Sequence, residues 1–278
     1  MRLRIFFVLV LIFVLPLLPV SVRADTPMIG TAGPFAVLGA AGVTNTGPSV
    51  ITGNLAGSTG TPAITGFPPG LVNGALLPGG APATVFNAAT NAYNFAAGLG
   101  GAIPIAGSLL GGLTLTPGVY SLGAAQLTGT LLLNALGSNT AQWTFQIASS
   151  LTTASASVVQ VINAGAPGAF NGGITWQVVS AATLGTTTTF LGTIIANAGV
   201  VLQTGATIGC GRAISLTASV TLDTNIISNG CMVSAGTGGG GTGGTITPPP
   251  SPVSAPEPGT LGLLLVGLAA ALTLRKLR

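Results

Sequence analysis

The sequence has very little charge and lacks the side chains on which most enzymes depend. Its 278 residues include seven Lys or Arg, three Asp or Glu and no His. Eight of these ten charges lie in the first 25 or the last 22 residues, so only Arg212 and Asp223 remain between positions 26 and 256. General acid–base catalysis, nucleophilic triads and most metal sites need several such groups close together. The composition therefore predicts a protein that is not an enzyme and holds no metal or other cofactor.

A basic surface for nucleic acid is also missing. The formal net charge is +4, but the cations are concentrated at the two ends of the chain. Without those ends, Asp25, Arg212 and Asp223 leave a formal charge of −1. Because nucleic-acid binding requires clustered Lys and Arg, we expect no nucleic-acid partner. We expect Asp223 to form a structural ion pair or to cap a turn.

The first 24 residues have the three parts of a secretory signal peptide. Two arginines precede the apolar run Ile5–Val20, and small residues lead to Ala24. We therefore predict a signal peptide over residues 1–24, cleaved after Ala24, and a short lead-in over residues 25–33. A retained membrane anchor is the alternative, and two prolines within the run argue against it.

The end of the chain changes composition twice. Residues 233–255 are rich in Gly, Thr and Pro and cannot bury much apolar area, which predicts a solvated linker. Next come Pro256, Glu257 and Pro258, the apolar run Leu261–Leu274 and a four-residue basic end. As a helix the apolar run spans about 21 Å, less than the ~30 Å hydrocarbon core of a bilayer. We expect a C-terminal hydrophobic helix that contacts the membrane transiently.

The last segment, residues 256–278, resembles the PEP-CTERM sorting signal of Gram-negative bacteria. The resemblance implies that an exosortase recognises Pro256, Glu257 and Pro258. It further implies a protein that is first tethered to the membrane and then secreted or held at the cell surface. The exopolysaccharide matrix is a further expected partner.

The two cysteines fit an exported protein. Cys210 and Cys231 are separated by about one length of the repeat described below, which places them on adjacent units. Cysteines in exported proteins commonly form disulfides, so we predict that these two pair. A free reactive thiol is the alternative.

The chain between the two ends repeats a short β-rich unit. Leu184, Leu202 and Leu222 each begin a similar Thr-containing segment, at spacings of 18 and 20 residues. A unit of this length with two or three short strands cannot close its own core and must stack on its neighbours. Val, Ile, Leu and Thr favour strands, and Gly and Asn favour corners. We therefore predict a mostly β protein built as a parallel β-helix, or solenoid.

One segment departs from this pattern. Between Pro82 and Gly98, four small or apolar residues recur at helical spacing: Val85, Ala89, Ala92 and Ala96. Pro suits the first turn of a helix, and Gly suits its end. The pattern predicts one long α-helix packed alongside the solenoid, without a chemical role.

Several segments resemble the ice-binding-like domain of bacterial and fungal ice-binding proteins. They run in order from the start of the repeat region to its end: Phe35–Gly39, Thr44–Pro48, Ile51–Leu55, Leu115–Tyr120, Trp143–Ala148, Trp176–Val178, Gly192–Ala196 and Val220–Asn225. The resemblance covers residues 34–232. It implies a right-handed parallel β-solenoid with a long helix alongside, and an antifreeze-like function in which the protein adsorbs to the surface of an ice crystal.

In some members of that family the ice-binding face carries the pattern Thr-Ala/Gly-x-Thr/Asn. Residues 204–207 match it, and segments beginning at Thr153, Thr186 and Thr224 match in part. The resemblance therefore implies these ice-contacting candidates: Thr153, Thr186, Thr188, Thr189, Thr204, Thr207 and Thr224. Ordinary solvent-facing strand residues are the alternative interpretation of the same threonines.

Three functions from different classes follow from these features. The first is an exported ice-binding protein that inhibits ice growth or recrystallisation through a flat Thr-rich solenoid face. The second is a surface or extracellular-matrix protein, structural or adhesive, with the same fold and no ice affinity. The third is a polysaccharide-processing β-helix, which the scarcity of carboxylates nearly excludes.

Overall fold

The computed structural model describes residues 29–60, 64–165, 170–171 and 173–230. The predicted signal peptide, the linker, the PEP-CTERM segment and Cys231 lie outside these residues. Within them, no helix has both the length and the apolar character that crossing a membrane requires.

The described chain consists of a 3-10 turn at Gly30–Ala32, many short strands and one α-helix. The strands before the helix are β1 (Phe35–Gly39), β2 (Val43–Asn45), β3 (Val50–Thr52), β4 (Asn54–Ser58), β5 (Ile64–Thr65), β6 (Leu71–Asn73) and β7 (Leu76–Ala81). Helix α1 follows at Ala83–Ala97. Next come β8 (Ile103–Pro104), β9 (Thr114–Leu115), β10 (Gly118–Leu122), β11 (Ala125–Leu127), β12 (Thr130–Asn134), β13 (Gln142–Ile147), β14 (Leu151–Thr153) and β15 (Val158–Ile162). The remaining strands are β16 (Gly173–Val178), β17 (Ala182–Leu184), β18 (Thr189–Leu191), β19 (Thr193–Ala196), β20 (Val200–Leu202), β21 (Thr207–Gly209), β22 (Ala213–Ser215), β23 (Val220–Leu222) and β24 (Ile226–Ser228).

These strands form three parallel sheets that enclose one core. Sheet A has nine strands in the order β7-β4-β1-β22-β19-β16-β13-β10-β8. Sheet B has seven in the order β11-β14-β17-β20-β23-β2-β5, and sheet C has eight in the order β6-β3-β24-β21-β18-β15-β12-β9. The chain passes from A to B to C in each coil, so the described strands build a β-solenoid with seven complete three-stranded coils.

The order of the coils in space differs from their order in the sequence. The first coil, β1-β2-β3, pairs strand by strand with the last coil, β22-β23-β24. The second coil and β7 extend the stack beyond the first. Helix α1 separates these coils from β8, where the chain starts the series that winds back to the first coil. The solenoid therefore joins residues that are more than 170 positions apart, as in the hydrogen bond from Asn225 N–H to Ser49 Oγ.

The interior is filled by inward-facing side chains of all three sheets. The aromatic residues there form a stack in which Tyr120, Phe145 and Trp176 come from successive strands of sheet A and Phe190 from the sheet C strand of the same coil as Trp176. Phe145 and Trp176 are parallel with ring centroids 3.9 Å apart, and the Trp176 and Phe190 centroids are 4.9 Å apart. Each residue of the stack is at most 4% exposed. Burial of such large side chains provides much of the favourable free energy of folding.

Helix α1 covers the outer side of sheet A. Its buried face consists of Val85, Ala89, Ala92 and Ala96, the positions given by the helical spacing in the sequence. Val85, Ala89 and Ala92 pack in one cluster with outward-facing apolar side chains of sheet A: Phe35, Leu38, Ala56, Ile195 and Ile214. Small alanines allow the helix to lie close to the sheet.

The end of the helix is held by a residue of sheet A. Gln146 on β13 donates from Nε2 to the carbonyl oxygens of Ala96 and Leu99, at 2.9 and 2.8 Å. Carbonyl groups in the last turn of a helix have no partner within the helix, so this side chain supplies one. The outer side of sheet A is thus occupied, and sheets B and C remain to present a surface.

Candidate functional site

A row of seven side chains, mostly threonines, runs along the outer side of sheet B. Each complete coil contributes the second residue of its sheet B strand, in the spatial order Gln126, Thr152, Thr183, Val201, Thr221, Thr44 and Thr65. Each member is the direct register partner of the next. Strands in a sheet are about 4.8 Å apart, so the seven side chains extend over roughly 29 Å. We call this set the threonine row.

The strands turn these side chains outward because alternate residues of a strand face opposite sides. In β14, Leu151 and Thr153 are buried while Thr152 between them is exposed. β11 and β2 have the same buried–exposed–buried pattern. Thr is β-branched and restricted at χ1, so a strand holds its methyl and hydroxyl groups with little residual freedom. The threonine row is therefore an ordered array of methyl and hydroxyl groups.

Small residues border the threonine row on the side towards sheet A. They stand two positions before the row members: Ala124, Ser150, Ala181, Gly199, Ser219 and Gly42. Backbone hydrogen bonds align them, as when Leu151 N–H donates to Ala181 O and Ala182 N–H donates to Gly199 O. Since none of these side chains is large, the threonine row is the most prominent feature of this face.

On the other side of the threonine row lies the corner between sheets B and C, where side chains link successive coils. Thr186 donates to Gln203 Oε1 at 3.4 Å, and one coil further Thr204 donates to Asp223 Oδ2 at 2.5 Å. Thr224 donates to Asp223 Oδ1 at 3.0 Å. The hydrogen bond from Thr204 is the main cause that holds the pKa of Asp223 below its ordinary value, and those from Thr224 and Thr46 add to it. Asp223 therefore accepts hydrogen bonds from threonine hydroxyl groups at a turn.

Beneath this corner a second set of polar side chains is buried. Thr153 and Thr188 share a hydrogen bond of 2.8 Å, and Thr153 Oγ1 also accepts from Gly185 N–H. In the first and last coils, Ser49 Oγ donates to Asn45 Oδ1 and accepts from Asn225 N–H. Buried backbone groups require partners, and the corner has no strand partner for them. These side chains are structural.

The sequence candidates fall into three different places. Thr153 and Thr188 are buried, at 4% and 0% exposure, so the prediction that they contact ice is wrong. Thr189 and Thr207 are half-buried register partners on the outer side of sheet C. Thr186, Thr204 and Thr224 lie at the corner between sheets B and C. The seven candidates do not form one row.

The error at Thr153 comes from the alignment of the repeats. Leu151 resembles Leu184 because each is followed by a Thr-containing segment, but the register partner of Leu151 is Ala182. Thr153 therefore occupies the inward position that Leu184 and Leu202 occupy in the following coils. At Thr188 the corner directs the side chain inward, where its hydroxyl donates to Ala154 O.

The threonine row itself was missed by sequence reasoning, although a signal for it exists. Four of its members directly precede one of the inward residues Leu127, Leu184, Leu202 and Leu222. The threonine-containing segments after these leucines form the corner between sheets B and C. The residue before each leucine identifies the outer face.

Sheets A and C are less suitable than sheet B for an uninterrupted threonine surface. On sheet A, the aligned threonines Thr144, Thr175 and Thr193 are at most 6% exposed. On sheet C, one outer row mixes threonines with aliphatic residues: Leu71, Val50, Ile226, Thr207, Thr189, Val158 and Thr130. Sheet B differs from sheet C in that threonines are the majority of its aligned outer row, of which four members are exposed and three, Thr183, Val201 and Thr221, are half-buried.

The described residues contain no group of three or more His, Cys, Asp or Glu side chains that is able to hold a metal ion. Cys210 lies at the corner between β21 and β22 with a positive φ of 48°. Its predicted partner, Cys231, is outside the described residues, so the disulfide stays a prediction.

The fold and this face define a class: a parallel β-solenoid with a regularly spaced and nearly uncharged outer row of side chains. The particular family is the ice-binding-like family, to which this chain belongs, since the family's model matches residues 37–228.

Individual relatives agree with this assignment. An ice-binding protein of Nostoc sp. (strain HG1) is 50% identical over 212 residues, which cover 75% of this chain and 76% of that protein. An ice-binding protein of Flavobacterium frigoris (strain PS1) is 33% identical over 218 residues, covering 73% and 76%.

Solved structures with the same fold include two ice-binding proteins from cold environments. One, from an Antarctic biological consortium, matches with a TM-score of 0.66 and 38% identity over 74% of this chain and 92% of that chain. Another, from the Antarctic ascomycete Antarctomyces psychrotrophicus, matches with a TM-score of 0.65 and 33% identity over 73% and 98%.

Proposed function

We propose that this protein binds ice through the outer face of sheet B and that it acts by adsorption, without catalysis. The relatives and structural neighbours are named as ice-binding proteins, which supports this function. The observation that carries the choice of face is the threonine row, with its continuous register over seven coils.

The proposal follows from what a crystal of water presents to a protein. Its surface is rigid, periodic and uncharged, and it offers both donors and acceptors of hydrogen bonds. A threonine hydroxyl matches the donors and acceptors, while the methyl group orders the adjacent water. Because the solenoid already fixes these side chains, little conformational entropy is lost when many weak contacts form together.

The distribution of charge also supports the outer face of sheet B as the ice-binding surface. Charged side chains hold tightly bound water of their own, which competes with the crystal for the same positions. The threonine row contains no charged residue, and the single carboxylate beside it, Asp223, is hydrogen-bonded to threonine hydroxyls. The face can therefore approach ice with little cost of dehydration.

Replacement of Thr183 by Lys tests the proposed face. Thr183 lies in the row between Thr152 and Val201. A long, strongly hydrated ammonium group at this position holds the face away from the crystal. We expect Thr183→Lys to abolish most of the thermal hysteresis and the shaping of ice crystals, with an unchanged melting temperature.

The matched control is Thr90→Lys. Thr90 is an exposed residue of α1, a helix that packs on sheet A, and Lys has a higher helix propensity than Thr. This variant should shape ice as the unsubstituted protein does. A folded Thr183→Lys protein with full thermal hysteresis would contradict the proposed face, and circular growth of ice in the unsubstituted protein would contradict ice binding itself.

We further propose that the protein is exported and sorted to the cell surface or released. The support is the signal-peptide pattern ending at Ala24 and the Pro256-Glu257-Pro258 motif with its apolar and basic segments. The partners are an exosortase and, at the surface, the exopolysaccharide matrix. Mass spectrometry of the protein from its host should give a chain that begins at Asp25 and ends near Pro258. A cytoplasmic chain that retains Met1 and Arg278 would contradict export.

A further inference from the structure

The corner between sheets B and C contains a repeated arrangement of side chains. In each case a corner threonine of one coil donates its hydroxyl hydrogen to a side chain of the next coil. The accepting residue lies two positions after a member of the threonine row in the sequence. The arrangement occurs as Thr186 to Gln203 and again as Thr204 to Asp223. Gln203 follows Val201, and Asp223 follows Thr221. The first acceptor is a neutral amide and the second is a carboxylate.

Asp223 makes more contacts than Gln203 because it joins three coils. Oδ2 accepts from Thr204 of the preceding coil, and Oδ1 accepts from Thr224 of its own coil. Thr46 of the first coil adds a third hydroxyl near the carboxylate. Gly47, also of the first coil, lies so close that a side chain there would collide with Thr224 Oγ1 and Asp223 Oδ1.

The backbone around Asp223 is fixed by hydrogen bonds of the buried Asn225. Its N–H donates to Asn225 Oδ1 at 2.7 Å, and the side-chain amide of the buried Asn225 donates to Gln203 O and Ala206 O. Thr224 has a positive φ of 56°, a conformation that places its hydroxyl beside the carboxylate. The carboxylate therefore has a fixed position relative to the threonine row.

We propose that Asp223 is a positioning residue for ice contact, which fixes the corner hydroxyls of Thr204 and Thr224 as an extension of the threonine row. This inference rests on the proposed ice-binding function. Both hydroxyl hydrogens point to the carboxylate, and both threonines are exposed, so their hydroxyl lone pairs stay available to accept from water. The carboxylate replaces part of its own hydration by these hydroxyls, which lowers the cost of a charge next to the binding face.

This arrangement predicts that the ice-binding activity decreases at acidic pH. Deprotonated Asp223 accepts both hydroxyl hydrogens, whereas a protonated carboxyl must donate from one oxygen and cannot hold both threonines in the same way. The hydrogen bonds place the folded-state pKa of Asp223 below its ordinary value. Asp223 therefore orders the hydroxyl groups of Thr204 and Thr224 fully at neutral pH, and this ordering is lost as the pH falls through that lowered pKa.

Asp223 is the only carboxylate among the described residues. The corner turns that pack against it contribute Thr, Gly, Gln and Asn but no other titratable side chain. Arg212, the other charged residue of the described part, donates to Gly33 O and Thr193 Oγ1 on the side of sheet A. An acid transition in activity within this part of the protein is thus attributable to Asp223.

The test compares the unsubstituted protein with Asp223→Asn, measuring thermal hysteresis from about pH 7 down to about pH 1, because the lowered pKa of Asp223 places its protonation below that of an ordinary carboxyl group. The unsubstituted protein should lose part of its thermal hysteresis at the lower pH. Asp223→Asn should show the same partial loss at neutral pH and no further change in acid. Melting temperatures taken in the same buffers show that each sample is folded.

A charge-matched control separates positioning from net charge. Asp223→Asn combined with Asn91→Asp restores the negative charge on an exposed position of α1, away from the corner. Under the proposal this double variant behaves as Asp223→Asn does. Recovery of full activity by the double variant, or an Asp223→Asn protein with the unsubstituted activity and acid transition, overturns the positioning role. Absence of ice shaping by the unsubstituted protein at neutral pH contradicts the proposed function instead.

Discussion

Thr152 and Thr153 are neighbours in the chain with opposite surroundings. Thr152 belongs to the exposed threonine row, whereas Thr153 is 4% exposed and accepts a hydrogen bond from Gly185 N–H at 2.8 Å. A buried N–H group that loses its acceptor destabilises the fold, but an exposed hydroxyl is replaced by water at little cost. The two positions therefore separate a structural role from a binding role within one strand.

Replacement of each residue by Val, which has nearly the same shape as Thr, tests this separation. We expect Thr153→Val to lower the free energy of unfolding by about 1–3 kcal/mol because Gly185 N–H and the Thr188 hydroxyl lose a partner. Thr152→Val should change it by less than about 0.5 kcal/mol. Urea unfolding measures both values.

For ice-binding activity we expect the opposite order: Thr152→Val should have the larger effect and Thr153→Val the smaller. Thr152→Val removes one hydroxyl from the threonine row and should weaken inhibition of recrystallisation. Thr153→Val should keep full activity at temperatures where it is folded. Equal loss of activity in both variants would mean that the sheet B face is sensitive to fold stability alone and would contradict the assignment of Thr152 to the binding surface.

At the scale of elements, helix α1 packs on the outer side of sheet A. The aligned Thr144, Thr175 and Thr193 of sheet A resemble the threonine row in residue type and register, yet they are buried on the side that the helix occupies. Gln146 fixes the end of the helix to the same sheet. Covering sheet A with alanines and apolar residues stabilises the solenoid and leaves sheet B as the regular exposed face.

At the scale of the whole molecule, the described solenoid depends on the contact between its first and last coils. Ser49, Asn45 and Asn225 form a buried chain of hydrogen bonds across this contact. The same contact places Thr44 beside Thr221 and so extends the threonine row by two coils. Closure of the chain therefore contributes both to stability and to the length of the face.

Removal of the Ser49 hydroxyl tests whether the contact between the first and last coils stabilises the solenoid. Ser49→Ala leaves Asn225 N–H and Asn45 Oδ1 without this partner, so we expect a loss of about 1–3 kcal/mol in the free energy of unfolding. Hydrogen exchange should increase first in β1 to β3 and β22 to β24. Ser149→Ala, at an exposed corner between sheets A and B, is the control and should leave stability unchanged. An Ser49→Ala protein as stable as this control would contradict the role of the closure.

The mostly β character of the fold and its repeat are predictable from the sequence alone. The scarcity of charge and the β-rich unit recur along the coils, and the spacing of Val85, Ala89, Ala92 and Ala96 marks helix α1. The membership of the ice-binding-like family was predicted from short segments and is confirmed by the match over residues 37–228. These features depend on neighbours in the chain.

Which threonines face outward, and which coil lies beside which, depends on packing between segments that are far apart in the sequence. A shift of two residues in the alignment of Leu151 moves Thr153 from an expected corner position to the last residue of strand β14, where its side chain is buried. The pairing of the first coil with the last joins residues far apart in the sequence, which no local pattern encodes. The threonine row exists because six three-residue strands and one two-residue strand are brought into register by the packing of their inward side chains.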